Sequence, residues 1–315
     1  MAKPPPNPHD AYFRRVMSRP DNAASQLRAV LPSGLVARID WSELKLCSTS
    51  LVSKELRSRY TDLVFSTRVD GHPAYLYVLM EHQSTSDRFM PVRMLEYVVG
   101  IWNQHRAETG SDTLPIVVPV VVHSNGASWN APTQLSEMFD LDPDLHAELA
   151  PYIPTFQFLL DDVAELDLTV VGRRGLTADA TIMLVLHKIA KGHPHLGEAI
   201  LEWLDQLRSV IDLDAVFTYM LQVSETPETD FDPVIDRLGP EAKEALMTTA
   251  EQLRAEGEAR GAARARAEML IVLLAEKFGT LPNSAIERVR TADADRLHTW
   301  ARRILTANTL HDALA

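Results

Sequence analysis

Asp62, Glu81 and Gln83 are the side chains whose types and spacing suit hydrolytic chemistry. They lie in the stretch Tyr60 to Gln83, Y-T-D-L-V-F-S-T-R-V-D-G-H-P-A-Y-L-Y-V-L-M-E-H-Q, which reads as two apolar strands joined by turn chemistry at Asp70-Gly71-His72-Pro73. A four-residue loop sets Asp62 opposite Glu81. A two-residue Asp-Gly loop pairs Asp62 with Leu79 and leaves Glu81 as its diagonal neighbour. In either register both acids share one sheet face with Gln83, while Leu63, Phe65, Leu76, Val78 and Met80 point to a core.

Two carboxylates about 5 Å apart repel unless a cation lies between them. Mg²⁺ takes one or two carboxylates, keeps several waters and completes its shell with phosphate oxygens. The backbone carbonyl of His82 is a further oxygen ligand in reach. Such an ion acidifies a bound water and stabilises a phosphodiester under attack. Gln83 can orient that water through its amide but adds no positive charge.

Asp62, Glu81-His82-Gln83-Ser84 and F-M-P-V-R-M-L-E-Y-V-V-G-I-W from Phe89 to Trp102 resemble the recombination-promoting nuclease (Rpn) and transposase-like family, within the PD-(D/E)XK nuclease superfamily. The resemblance begins at His9-Asp10-Ala11-Tyr12-Phe13 and runs through L-P-I-V-V-P-V-V-V-H-S-N-G-A-S-W-N-A-P, Leu114 to Pro132. It implies an α/β fold of helix, three strands, helix and strand, followed by an all-helical C-terminal region. It also implies a Mg²⁺-dependent DNA endonuclease linked to recombination or mobile elements, with Asp62 and Glu81 as ligands of Mg²⁺ and with Mn²⁺ or Ca²⁺ as alternative ions. The third position is usually Lys; here it is Gln83. His123-Ser124-Asn125-Gly126 departs from the Tyr-His-Gly expected there, a departure read as touching an accessory loop and not the metal site.

The chain has 315 residues and a formal net charge of −12. Residues 1–130 carry 14 basic and 12 acidic side chains, the remainder 17 and 31, so a nucleic-acid contact belongs on the first half. Lys54, Arg57 and Arg59 crowd before Asp62 and are read either as phosphate contacts or as a solvated face with an Arg59 to Asp62 ion pair; Arg93, near the start of a helix, is read either as a phosphate contact or as a surface pair with Glu96 or Tyr97. The one cysteine, Cys47, excludes an internal disulfide and fits a reducing compartment, so a cytoplasmic protein is expected. No apolar run reaches the roughly 18 residues of a membrane span.

Residues 1–9 are Pro-rich and read as a loose tail. Residues 10–175 make the nuclease-like domain: helix over Asp10 to Leu31 with a break at Pro20, a short helix over Leu35 to Leu44, strand over Leu46 to Leu56, then the hairpin. A helix from Arg88 to Arg106 follows, capped by Ser84 to Asp87, then a strand over Leu114 to Val122 and another over Phe156 to Val163. Pro119 argues for an edge or a bulge in the first of these. Residues 176–240 form a helical extension with helices at Ile182 to Ile189, Ala199 to Ile211 and Leu213 to Gln222, and an acidic linker at Pro227 to Pro233. His187, His193 and His195 there read as surface residues. Residues 241–315 read as a long helix, Glu241 to Lys277, charged in its middle, capped by Gly279 and followed by two shorter helices carrying Ile286, Val289, Leu297, Trp300, Ile304 and Leu305. The apolar run Met269 to Leu274 beside a charged helix suggests a homodimer through these C-terminal helices. The alternative function, from a different class, is a catalytically weak or inactive nucleic-acid-binding or assembly protein on a nuclease fold. A metal-free acid and base pair ranks last, since no sugar site is evident.

Overall fold

A computed structural model describes residues 7–47, 62–81, 86–124 and 127–315, with only the backbone at Asp62. Asp70 and Gly71 turn the chain alone. Their φ values are 47° and 81°, the left-handed pair that a two-residue hairpin loop requires and that Asp-Gly tolerates best. Strand β2 (Asp62–Val69) therefore pairs antiparallel with β3 (His72–Glu81) from Val69↔His72 to Asp62↔Leu79. Of the two registers open to the sequence, the structure takes the shorter loop. His72 and Pro73 belong to the strand, Pro73 opposite Arg68.

The sheet has the order β1-β2-β3-β4-β5. β1 (Lys45–Leu46) pairs antiparallel with β2, while β4 (Ile116–His123) and β5 (Leu159–Asp162) continue the sheet in parallel from β3. The connection from β3 to β4 contains α4 (Met90–Thr109), ended by Gly110 at φ 66°. Its apolar stripe, Met90, Met94, Tyr97 and Ile101, covers Val64, Tyr77, Leu79 and Val121 on one face of the sheet. Leu63, Phe65, Leu76, Val78 and Met80 are buried on the opposite face, where α1 (Pro8–Met17) meets β2 and α2 (Pro20–Val30) meets β5. The result is a mixed α/β unit with helices on both faces.

Several sequence expectations change. Residues 7–9 are not tail: Pro8 opens α1, and the Asn7 side chain accepts the His9 N–H at 3.0 Å. The helix expected over Leu35 to Leu44 shortens to α3 (Ser33–Val36), followed by a 3-10 turn at Trp41–Glu43 and a bridge from Ile39 to Val69. Only Lys45 and Leu46 represent the strand expected over Leu46 to Leu56, and residues 48–61 lie outside the described residues. Pro119 pairs in register with Tyr77 without a bulge. It is tolerated because β5 joins β4 only from Val120 onward, so Pro119 sits where the far side of β4 is a local edge.

Between β4 and β5 lies α5 (Pro143–Leu149), and α6 (Leu168–Arg173) leads to α7 (Ala178–Ile189). α7 contacts α1 and α2, and the helices between residues 176 and 239 belong with residues 7–175 to one compact unit, 7–245. His187 is buried, contrary to its surface assignment, stacked on Tyr219 at 5.1 Å and near His9, Tyr12 and Phe13. Burial holds the Tyr12 and Tyr219 hydroxyls above their ordinary pKa. The helix expected over Ala199 to Ile211 is broken into α8 (Leu196–Ile200), a 3-10 turn and α9 (Leu204–Leu207). α10 (Leu213–Val223) is uninterrupted. The expected acidic linker is instead a 3-10 turn, Glu228–Phe231, leading into α11 (Asp232–Leu238), because Phe231 is fully buried and anchors it.

Residues 246–315 form a second compact unit. The long helix α12 (Pro240–Phe278) enters it; residues 251–266 are exposed apart from Leu253 and Ala263, which are half-buried. Gly279 at φ 79° donates its N–H to the Ala275 carbonyl and caps the helix. Three short helices follow instead of two: α13 (Asn283–Arg290), α14 (Ala294–Arg303) and α15 (Leu310–Leu314). They close around Leu270, Leu274, Val289, Leu297, Trp300 and Ile304. Leu305 is 80% exposed and takes no part. Among the described residues no helix is long and apolar enough to cross a membrane.

Close packing is most exacting where α8 meets the 3-10 turn at Asp230. A Cβ on Gly197 would overlap the Asp230 carbonyl, and a backbone neighbour cannot swing away as a side chain can. Gly197→Ala is expected to lower unfolding free energy by about 1–3 kcal/mol. Gly257→Ala, with open space around it on α12, should be neutral or stabilising by up to about 1 kcal/mol. Urea unfolding of both variants checks the contrast, and an unchanged Gly197→Ala protein would contradict this packing.

Candidate active site

Parallel pairing brings polar side chains to one end of the sheet. Glu81 closes β3, His123 closes β4 and Asp162 closes β5, and the register pairs Glu81 with His123 and His123 with Asp162. Alternation along β2 and β3 puts the Asp62 position on this same face, opposite Leu79 and two residues before Glu81 on the diagonal. This is also the face that α4 covers.

Glu81, the last residue of β3, is buried. It is 1% exposed, and its Oε2 lies 3.2 Å from Arg93 Nη2. Arg93 comes from the first turn of α4. Its second guanidinium nitrogen, Nη1, lies 3.0 Å from Asp87 Oδ2, while Asp87 Oδ1 accepts the Phe89 N–H at 2.8 Å. Asp87 thus steadies the start of α4 and holds the guanidinium against Glu81. The surface pairings expected for Arg93, with Glu96 or Tyr97, give way to this buried one because the first turn of α4 sits over the end of β3. A buried carboxylate is costly without a cation, and removal of one partner from such a pair typically costs about 3–5 kcal/mol.

His123 is 2% exposed. Its Nδ1 lies 3.0 Å from Asp162 Oδ1, and Asp162 Oδ2 accepts the Trp129 N–H at 2.7 Å. The Trp129 ring packs edge-on against the imidazole at 5.3 Å. The residue read as the start of an accessory loop is therefore the last residue of a central strand, beside the candidate acid. The Ser124 N–H also bonds the Glu81 carbonyl at 3.3 Å. Asp87, His123 and Asp162 were all missed in the sequence reading. The available signal was that neighbouring parallel strands end at one level, so polar residues closing V-V-V-H and L-L-D-D should be read together with Glu81.

The other candidates are placed less completely. Asp62 has a described strand position without a described side chain, and Lys54, Arg57, Arg59, His82 and Gln83 lie outside the described residues. Among the described residues no three His, Cys, Asp or Glu side chains converge to hold a metal ion.

Comparison with known proteins agrees with the family resemblance. A family model described as "Putative transposase, YhgA-like" matches residues 7–217. The chain is 32% identical over 262 residues to recombination-promoting nuclease RpnA of Escherichia coli strain K12, covering 80% of this chain and 85% of the relative. It is 30% identical over 269 residues to recombination-promoting nuclease RpnC of the same strain, covering 82% and 84%. The inactive recombination-promoting nuclease-like protein RpnE of that strain is also 30% identical, over 261 residues, covering 80% and 83%. No solved structure matches.

The buried pair can be measured directly. Arg93→Met should lower unfolding free energy by about 3–5 kcal/mol in the parent and by clearly less when Glu81 is already Gln. Equal losses in both backgrounds, followed by urea denaturation, would show that the two side chains are not coupled.

Proposed function

Because the chain belongs to the YhgA-like transposase family, we propose that it is a divalent-metal-dependent DNA endonuclease of PD-(D/E)XK type, linked to recombination or mobile-element activity. One observation carries the reading: β2 and β3 place the Asp62 position and Glu81 on one face at the same end of the sheet. The order of α1, the three strands, α4 and β4 is in keeping with it. So is the chemistry of the donors, since a buried carboxylate beside a second acid position is an oxygen-rich setting suited to a hard cation.

Asp62 and Glu81, with the His82 carbonyl, would hold Mg²⁺, Mn²⁺ or Ca²⁺. Bound there, the ion would supply Lewis-acid stabilisation of the phosphoryl oxygens and would acidify a water. Gln83 would orient that water through its amide. The charge that an amide cannot supply comes from Arg93, whose guanidinium already sits against Glu81 and is partly buried. A preorganised cation in a water-poor site stabilises charge developing on phosphate far better than one in bulk solvent. Lys54, Arg57 and Arg59 would contact the DNA backbone. Exposed Met269, Val272 and Leu273 on α12 are the surface proposed for a homodimer, and a truncation ending at Leu238 should be monomeric by light scattering where the full chain is not.

The second reading, binding without cleavage, is favoured by the inactive relative and by Gln83 in place of Lys. Plasmid nicking separates the two. The endonuclease reading expects cutting with Mg²⁺ or Mn²⁺ that stops in EDTA and falls to background in Asp62→Ala and Glu81→Gln while both proteins keep parental circular dichroism. Gln83→Ala should slow cleavage and Gln83→Lys should retain or raise it. Arg93→Gln should lose about a hundredfold or more, part of it restored by Gln83→Lys. Cleavage by Asp62→Ala at the parental rate would sink the assignment, and DNA binding without nicking under every metal condition would establish the second reading.

A further inference from the structure

Metal-binding histidines commonly donate one ring N–H to a carboxylate, which fixes the tautomer and leaves the other nitrogen as the ligand. His123 has this arrangement. Nδ1 lies 3.0 Å from Asp162 Oδ1, and since a carboxylate only accepts, Nδ1 is the donor of this pair and a neutral imidazole would present Nε2 as its ligand atom. Asp162 is itself fixed from its second oxygen by the Trp129 N–H, and the Trp129 ring limits rotation of the imidazole. The ring is therefore oriented from two sides and buried, and its strand position is directly in register with Glu81. Among the described residues the ion-pair partner of Asp162 is His123.

We propose that His123, oriented by Asp162, is a nitrogen ligand to the divalent cation that Glu81 binds, and that this site consequently prefers a transition-metal ion such as Mn²⁺ to Mg²⁺. The inference rests on the metal-dependent reading above and adds to it. An all-oxygen set suits Mg²⁺, whereas imidazole favours the first-row transition metals and gains nothing for Mg²⁺ or Ca²⁺. Asp161, the neighbouring acid, is committed elsewhere: its two oxygens take both terminal nitrogens of Arg174, at 2.8 and 3.0 Å, on the opposite sheet face. Asp162 alone of this pair serves the site.

The test uses Mn²⁺ with the purified full-length chain. Electron paramagnetic resonance counts bound Mn²⁺, and electron spin echo modulation detects an imidazole nitrogen bonded to it. The parent should show that nitrogen coupling and bind Mn²⁺ at least about tenfold more tightly than Mg²⁺ in competition. His123→Gln should abolish the coupling and weaken Mn²⁺ binding about 10- to 100-fold with Mg²⁺ binding nearly unchanged; Asp162→Asn should keep the coupling and weaken Mn²⁺ binding about tenfold. If His123→Gln is poorly folded, His123→Phe is read by the same spectra. Mn²⁺ bound to the parent without nitrogen coupling, or equal losses of Mn²⁺ and Mg²⁺ in His123→Gln, would overturn the proposal while leaving the oxygen site intact. Coupling that survives Glu81→Gln would instead contradict Glu81 as a ligand, and a parent that binds no divalent ion would contradict both readings.

Discussion

The structure around the candidate site depends on a two-residue turn. Side chains alternate across a sheet, so any odd change in the Asp70-Gly71 loop would move every residue of one strand to the opposite face relative to its partner. With Asp70 and Gly71 both at positive φ, Val64, Tyr77 and Leu79 share the face covered by α4, and the Asp62 position and Glu81 share it too. The apolar core under α4 and the polar end of the sheet are thus consequences of the same register. The hydrophobic contacts that stabilise the hairpin also enforce the placement of its acids.

Burial gives that placement its chemical character. A carboxylate that is 1% exposed has lost most of its solvation, and its charge must be balanced by the protein or by an ion. Arg93 provides the balance, and Asp87 in turn orients Arg93. Binding of an ion at Glu81 would change the partners of a charge already compensated, so the guanidinium is well placed to remain as the site's fixed cation. His123 and Asp162 extend the polar row across β4 and β5, joining four strands at one end of the sheet.

Much of this was legible in the sequence for identifiable reasons. Asp-Gly between β-branched and aromatic runs marks a hairpin, and the parity argument holds for both even loop lengths, so the shared face of Asp62 and Glu81 did not require choosing between them. Burial of Glu81 was not legible, because it is imposed by α4 and by β4, elements remote in sequence. The same limit applies to Arg93: its neighbours along the helix were visible, but its partner at the end of β3 depends on how the helix crosses the sheet. Pro-rich and acidic composition misled at Pro227 to Pro233, where one buried aromatic, Phe231, outweighs the polar residues around it. His187 was misread for a similar reason, since the aromatic cluster that buries it draws on α1 and α10, distant in the chain.

The central claim is that Glu81 and Asp62 together hold a divalent cation, and anomalous diffraction from crystals of the full chain grown with Mn²⁺ tests it most directly. The expected result is an anomalous peak about 2.1–2.2 Å from carboxylate oxygens of both residues, with Arg93 still beside Glu81. A Glu81 carboxylate engaged only by Arg93, with Mn²⁺ absent from that end of the sheet at saturating concentration, would contradict it.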